Sequence, residues 1–230
     1  MNKKTMIIGV VLVVALLLIA LLIPSKEEKK KVDEKLLGIN YNVEGNVSEL
    51  NYDTENPVVA MYIKNYGSVV MELYPDVAPN TVNNFISLIK NKFYDNNTFH
   101  RLVPGFVLQG GDPNGNGSGG PDYTIKGEFT NNGYENNLAH EKWVVSMARS
   151  ADNNSAGSQF FICLGTASNL DGDYAAFGKV IDGKEIIEKI EKEEIVIDQE
   201  SGKLQNNLTI KKALVDLKGK EYPEVEKYTN

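Results

Sequence analysis

Apolar side chains in this chain fall mainly in short runs rich in β-branched residues and separated by turn residues, the pattern of strands. Residues 58–63 (Val-Val-Ala-Met-Tyr-Ile) and 69–74 (Val-Val-Met-Glu-Leu-Tyr) read as a hairpin turning at Asn65-Tyr66-Gly67. Two further runs meet at the turn dipeptide Pro104-Gly105, which puts Arg101 and Gln109 on neighbouring extended segments that share a face with Phe106. Strands also read at 143–147, 159–164, 176–181 and 208–217. In two places the period lengthens to that of a helix. After Pro79, the spacing of Val82, Phe85, Ile86 and Ile89 predicts a helix over 80–91 that plugs one end of the fold, and Ile186, Ile187 and Ile190 predict a second over 184–191. Eight strands and two helices predict a mainly β fold: a closed antiparallel eight-stranded barrel capped by two α-helices, because closure leaves no strand edge unpaired.

One apolar run breaks this pattern. Residues 6–23 are eighteen residues without a charge, preceded by Lys3 and Lys4 and closed by Pro24-Ser25. That length just spans a bilayer as a helix. No small-x-small cleavage site follows and no cysteine is present to carry a lipid, so an uncleaved N-terminal transmembrane helix is expected, a signal anchor over 1–25. Its orientation has two readings. Lys26, Lys29, Lys30, Lys31 and Lys35 outnumber Lys3 and Lys4, which by the positive-inside rule keeps the following domain in the cytoplasm. The extreme N-terminal position is instead that of an export signal, and we take as the expectation a single-pass cell-membrane protein with its domain outside the cytoplasm. Residues 26–56 begin with a mixed-charge run, 26–35, that reads as a solvated linker. The weakly patterned 36–56 reads equally as more linker or as a strand packed on the barrel. The barrel domain is expected over 57–217, with a tail over 218–230.

A formal charge of −7 argues against nucleic acid as a partner, since phosphate binding calls for a basic surface. Cys163 alone permits neither an intramolecular disulfide nor a cysteine metal site, and it follows Phe160-Phe161-Ile162 as a small core filler. The glycine-rich stretch 110–120 fails three functional tests. No Gly-Lys-Ser/Thr follows it as in a phosphate cradle. Asp112, Asn114, Asn116 and Gly117 match the first half of a calcium loop, but Tyr123 stands where a bidentate glutamate is required. Asn116 occupies the glycine position of a nucleophile elbow around Ser118. A surface loop is the expectation. Alternation points His100 away from the face of Arg101, and His140 has no acid or nucleophile at a telling spacing, so neither metal binding nor Ser-His-acid hydrolysis is expected. Trp143, Met147 and Phe160 read as core.

The stretch Phe99-His100-Arg101-Leu102-Val103-Pro104-Gly105-Phe106-Val107-Leu108-Gln109-Gly110-Gly111-Asp112 is followed by Ser146-Met147-Ala148, by Gly157-Ser158-Gln159-Phe160-Phe161-Ile162, and by Leu170-Asp171-Gly172 with Phe177-Gly178-Lys179-Val180. These blocks, in this order, resemble those of the cyclophilins, the β-barrel peptidyl-prolyl isomerases, and here a bacterial, membrane-anchored member of them. The resemblance covers 57–217. It implies an enzyme that speeds rotation about X-Pro bonds of exported polypeptides, with no cofactor, no metal and no covalent intermediate. Arg101, Phe106, Gln109 and Phe161 are the implied catalytic set. Val107, Ala148, Arg149, Gln159, Leu170 and Tyr174 are the implied substrate-binding set, the proline ring sitting among Phe106, Val107, Phe161 and Leu170. Asn169 stands where many members have tryptophan, Val107 where many have methionine and Tyr174 where many have histidine, which implies weak binding of the drug cyclosporin. The competing reading is a membrane-tethered module, or a general chaperone, that holds proline-containing segments with isomerisation incidental; an intact Arg101 favours catalysis.

Overall fold

The structure, a computed structural model, describes residues 40–41, 47–49 and 52–228. The expected membrane helix at 6–23, the linker at 26–35 and most of 36–51 lie outside those residues. Among the described residues no helix is long and apolar enough to cross a membrane. A short antiparallel ribbon of β1 (Asn40–Tyr41) and β2 (Val47–Glu49) precedes the barrel.

The barrel is built from β3 (Val58–Ile63), β4 (Gly67–Leu73), β5 (Thr98–Val103), β6 (Val107–Asp112), β7 (Val144–Met147), β8 (Phe160–Cys163), β9 (Ala176–Asp182) and β11 (Lys203–Asp216). Their order is β11-β3-β4-β9-β7-β8-β6-β5, every neighbouring pair is antiparallel, and a β11–β5 pairing closes the ring. This is the mainly β, closed eight-stranded architecture expected from the apolar runs. One further strand, β10 (Val196–Asp198), folds back onto the start of β11. It carries β11 back to Lys203, whereas the apolar pattern begins the last strand at 208.

Period-two alternation sorts the side chains between the inside and outside of the barrel. Leu102, Leu108, Ile162 and Val145 lie in one transverse row across β5, β6, β8 and β7, and all four are core residues. Phe160 packs edge-on against Phe85, Tyr94 and Phe99 at centroid distances of 5.2, 5.6 and 5.6 Å, the arrangement ring quadrupoles favour. Phe85 comes from α1 (Pro79–Lys90), whose Val82, Phe85, Ile86 and Ile89 are buried as the spacing predicts. The second helix, α2 (Lys184–Glu193), buries Ile187 and Ile190. Met147 and Phe160 are core, while Trp143 lies half-buried just ahead of β7 with φ at 80°.

Helix α1 starts without a side-chain cap of its own, at Ala78. Its orphan N–H groups are met from outside by the buried Glu128. That carboxylate accepts the Asn80 N–H at 3.0 Å, the Thr81 N–H at 2.7 Å and the Thr81 hydroxyl at 2.6 Å. A negative charge here also opposes the positive end of the helix dipole. The tail beyond β11 crosses the same helix. Asn80 and Glu226 exchange hydrogen bonds of 2.9 and 2.8 Å, and the Tyr228 N–H reaches the Thr124 carbonyl at 2.8 Å.

Candidate active site

On the outer face, Arg101, Gln109, Phe161 and Ser146 form a second transverse row across β5, β6, β8 and β7. Two residues along lies the row Val103, Val107 and Cys163. An apolar cluster separate from the barrel core assembles on these rows. It contains Val107, Phe161, Cys163 and Leu170, with Phe106, Ala148 and Tyr174 packed against it half-buried. Leu170 reaches it from a short 3₁₀ turn, Ser168–Leu170. Tyr174 meets Phe161 edge-on at 5.8 Å. The four residues expected around the proline ring, Phe106, Val107, Phe161 and Leu170, are therefore in one patch, bordered by Arg101 and Gln109.

Arg101 reaches this face through a bulge. Phe99 pairs with Gly110 and Arg101 with Gln109, so two steps along β5 answer one step along β6. Strict alternation puts Phe99 and Arg101 on the same side. The bulge at His100 instead leaves Phe99 in the core and turns Arg101 outward. It also corrects the expectation for His100, which lies with Arg101 along the same concavity rather than facing away from it. Its Nδ1 is buried with no hydrogen-bond partner among the described residues.

A one-way chain of hydrogen bonds orients the guanidinium. Arg101 Nη1 donates to Gln109 Oε1 at 3.2 Å, Gln109 Nε2 to Gln159 Oε1 at 3.0 Å, and Gln159 Nε2 to the Gly117 and Gly119 carbonyls at 3.0 and 2.9 Å. Arg101 Nε donates to the Ser201 carbonyl at 2.8 Å. Two of the five guanidinium N–H groups are thus engaged, and the other three have no partner among the described residues. Partial burial pushes the Arg101 pKa down and Tyr174 opposes the shift; the group stays cationic. Ser201 sits in the β10–β11 turn. The next residue, Gly202, has φ at +73° and a Cβ there would lie 2.6 Å from Val103, so only glycine lets the turn approach β5 so closely.

Gln159 and Arg149 also line a polar cavity of about 330 Å³ beside Gln109, with Ser118, Thr124 and Ala148. The Arg149 side chain is committed elsewhere, donating to the Asp173 and Ser150 carbonyls at 2.9 Å each and lying over the Tyr174 ring. The Ala148 N–H is spent on the Gln159 carbonyl at 2.9 Å, so it is not the backbone donor that the resemblance implies for an incoming chain.

His140 departs most from its sequence reading. Its Nδ1 lies 2.8 Å from Asp171 Oδ1 and its Nε2 3.0 Å from Ser146 Oγ, a Ser-His-Asp constellation beneath Phe161, on whose ring His140 stacks at 6.0 Å. No recognisable spacing joins residues 140, 146 and 171, and only the fold brings them together. Ser146 is fully buried and His140 nearly so, which leaves no access for an acyl substrate. The set supports the β8 row from below. Burial pushes the His140 pKa below its usual 6.5 against the pull of Asp171, and burial does the same at His100 against Asp112. At Asp171, burial raises the pKa but the His140 backbone and ring outweigh it. At Asp112, burial is outweighed by the N–H groups of Asn114, Asn116 and Gly117. All four shifts act in one direction. The unfolded histidines take up protons below about pH 6.5 where the folded ones resist, so stability present above that pH declines as pH falls. The carboxylates add a further loss as pH drops through about 4 toward their depressed folded values. Thermal melts are expected to hold a constant midpoint between pH 8 and 7 and to fall steadily from pH 6.5 to 4; a flat midpoint to pH 5 would contradict the histidine assignments.

Among the described residues no group of histidine, cysteine and carboxylate side chains is placed to hold a metal. The closed barrel thus carries on its outer face an apolar patch, an arginine oriented along its edge and a polar cavity beside it. Residues 58–215 match the family model described as cyclophilin type peptidyl-prolyl cis-trans isomerase/CLD. Peptidyl-prolyl cis-trans isomerase B of Bacillus subtilis is 49% identical over 117 residues, covering 51% of this chain and 78% of the relative. A peptidyl-prolyl cis-trans isomerase of Helicobacter pylori is 40% identical over 134 residues, covering 57% of this chain and 79% of the relative. A crystal structure of a Cryptosporidium parvum cyclophilin type peptidyl-prolyl cis-trans isomerase, in the presence of the dipeptide Ala-Pro, superposes with a TM-score of 0.61 at 32% identity, over 69% of this chain and 98% of the other. The chain belongs to the cyclophilin-type peptidyl-prolyl cis-trans isomerase family.

Proposed function

We propose that this peptidylprolyl isomerase works by binding the twisted X-Pro amide at the Arg101 edge of the outer apolar patch. Rotation about a peptide bond meets a barrier of about 18–20 kcal/mol because conjugation gives the C–N bond double-bond character. The two planar X-Pro isomers are nearly equal in energy, yet they exchange over tens to hundreds of seconds. Catalysis needs no bond made or broken, only tighter binding of the twisted form than of either planar one. Twisting returns the lone pair to the proline nitrogen and reduces charge separation across the amide. An apolar floor of Phe106, Val107, Phe161 and Leu170 favours that state, and a donor aimed at the nitrogen favours it further. The observation that carries this reading is the Arg101–Gln109–Phe161 row, in which the guanidinium is tethered at Nε and Nη1 and keeps three N–H groups for a ligand.

Gln109 holds the substrate carbonyl side, Tyr174 borders the proline floor, and the polar groove at Ala148, Arg149 and Gln159 carries the extended chain. The test is a coupled isomerisation assay of the full chain on a short X-Pro peptide; a rate equal to the uncatalysed one would overturn the reading. With the exposed Asn169 beside Leu170 in place of a large aromatic, cyclosporin is expected to bind weakly, and titration to nanomolar affinity would contradict that expectation.

The uncharged run at 6–23 supports reading the protein as membrane-anchored, with the barrel standing off the lipid on residues 26–56. The N-terminal position of that run supports a domain outside the cytoplasm acting on exported chains. Protease treatment of intact cells should then remove the barrel, and an uncut domain would reverse the orientation.

A further inference from the structure

The β10–β11 hairpin creates a second concavity beside Arg101, of about 670 Å³, and no residue of the apolar patch lines it. Its walls include Lys203, Gln205, Asn206 and Asn207 at the start of β11 and the loop at 115–117, with His100, Arg101 and Gln109 on the side toward the reaction site. Lys203 and Arg101 are direct cross-strand partners. Like charges at opposed positions repel. Neither cation is in an ion pair with a carboxylate among the described residues, and no carboxylate lines the concavity. Two acids close by in the sequence or the sheet, Asp112 and Asp198, have partners of their own. Asp112 is buried and turned into the N–H groups of Asn114, Asn116 and Gly117. Asp198, whose charge Lys203 does reach, is held by the Ser201 hydroxyl at 2.7 Å and by the Glu200 N–H at 3.0 Å. In a chain of net charge −7, this pair of cations flanked by side-chain amides is a local reversal of sign that suits an anion.

Resting on the isomerase reading above, we infer that the concavity is a subsite for a carboxylate side chain of the substrate, so that X-Pro segments carrying Asp or Glu close to the proline are preferred. An extended chain advances about 3.3 Å per residue, so an acid one to three residues from a proline seated on the patch falls within reach of Lys203.

The experiment scans a single Glu from three residues before to three residues after the proline, each peptide paired with its Gln twin, using the full chain and Lys203→Gln. For an exposed pair the expected preference is about three- to fivefold in kcat/KM at low salt at one position or more. It should shrink at 0.5 M salt, fall to about one in Lys203→Gln and persist in Lys203→Arg. Fluorescence anisotropy of the labelled Glu and Gln peptides should show the same ratio in affinity. No preference at any position, or one unchanged in Lys203→Gln, would overturn the subsite. Gln twins bound but not turned over would instead sink the isomerase reading, while the anisotropy ratio still decides the subsite.

Discussion

Arg101→Ala is expected to lower kcat/KM for a short X-Pro peptide ten- to a hundredfold while moving the thermal midpoint by no more than about 2 °C. A hydrogen bond from a charged group contributes about 1.5–3 kcal/mol, and each ~1.36 kcal/mol is tenfold in rate. Loss of one donor that acts only on the twisted amide therefore costs one to two decades. Stability should change little because Arg101 is half-buried on the outer face and the Ser201 carbonyl it leaves behind belongs to an exposed residue that water can reach. Arg101→Lys separates charge from geometry. It keeps the cation but not the planar fork that donates to Ser201 and Gln109 together, so it should recover only a small part of the rate. A coupled assay run beside thermal melts reads both effects. An alanine variant as active as the wild type would remove the guanidinium from the mechanism.

Glu128→Ala is expected to be the most destabilising single change outside the apolar core. The substitution strips three donors of a buried partner at once, two of them backbone N–H groups of a helix that has no cap of its own. Buried donors left without an acceptor cost about 1–3 kcal/mol each. Some relaxation and water entry reduce the sum to about 3–5 kcal/mol. For a domain of this size each kcal/mol lowers the midpoint by about 2–4 °C, so a drop of about 10 °C is expected in calorimetry at neutral pH. Glu128→Gln keeps one carbonyl acceptor in the same volume and should lose distinctly less, which separates capping from the cavity left by truncation. A midpoint within about 2 °C of wild type in Glu128→Ala would show that α1 is held by its apolar face alone. Helix α1 supplies Phe85 to the ring cluster around Phe160, so loosening its first turn loosens the barrel interior.

How much was legible followed the range of the interaction. Strand and helix positions came from local periodicity, and Val82, Phe85, Ile86 and Ile89 do lie inward on α1. That Arg101 and Gln109 lie on neighbouring strands followed from one turn dipeptide, because a hairpin is a short-range structure, while their direct pairing is set by the observed register, Val103 opposite Val107. The short strand β10 was missed although Ile195-Val196-Ile197 ahead of a Ser201-Gly202 turn is a hairpin signal; three residues are too few for periodicity to register. Residues 36–56 read two ways, and the structure finds the β1–β2 ribbon within them. The tail at 218–230 carried no pattern, yet Glu226 and Tyr228 are bonded to Asn80 and Thr124.

The amino-acid sequence by itself determined the mainly β class, the two helices and the set of chemical groups available, because apolar period, turn residues and side-chain type are properties of neighbours along the chain. Tertiary structure decided how those groups meet. The bulge at His100 turns Arg101 outward, Ser201 tethers it from 100 residues away, Glu128 caps a helix 47 residues earlier, and His140 gains Asp171 and Ser146. Each of these joins a polar atom to a partner distant in sequence, and a donor whose acceptor is chosen by ring closure leaves no mark on the local pattern.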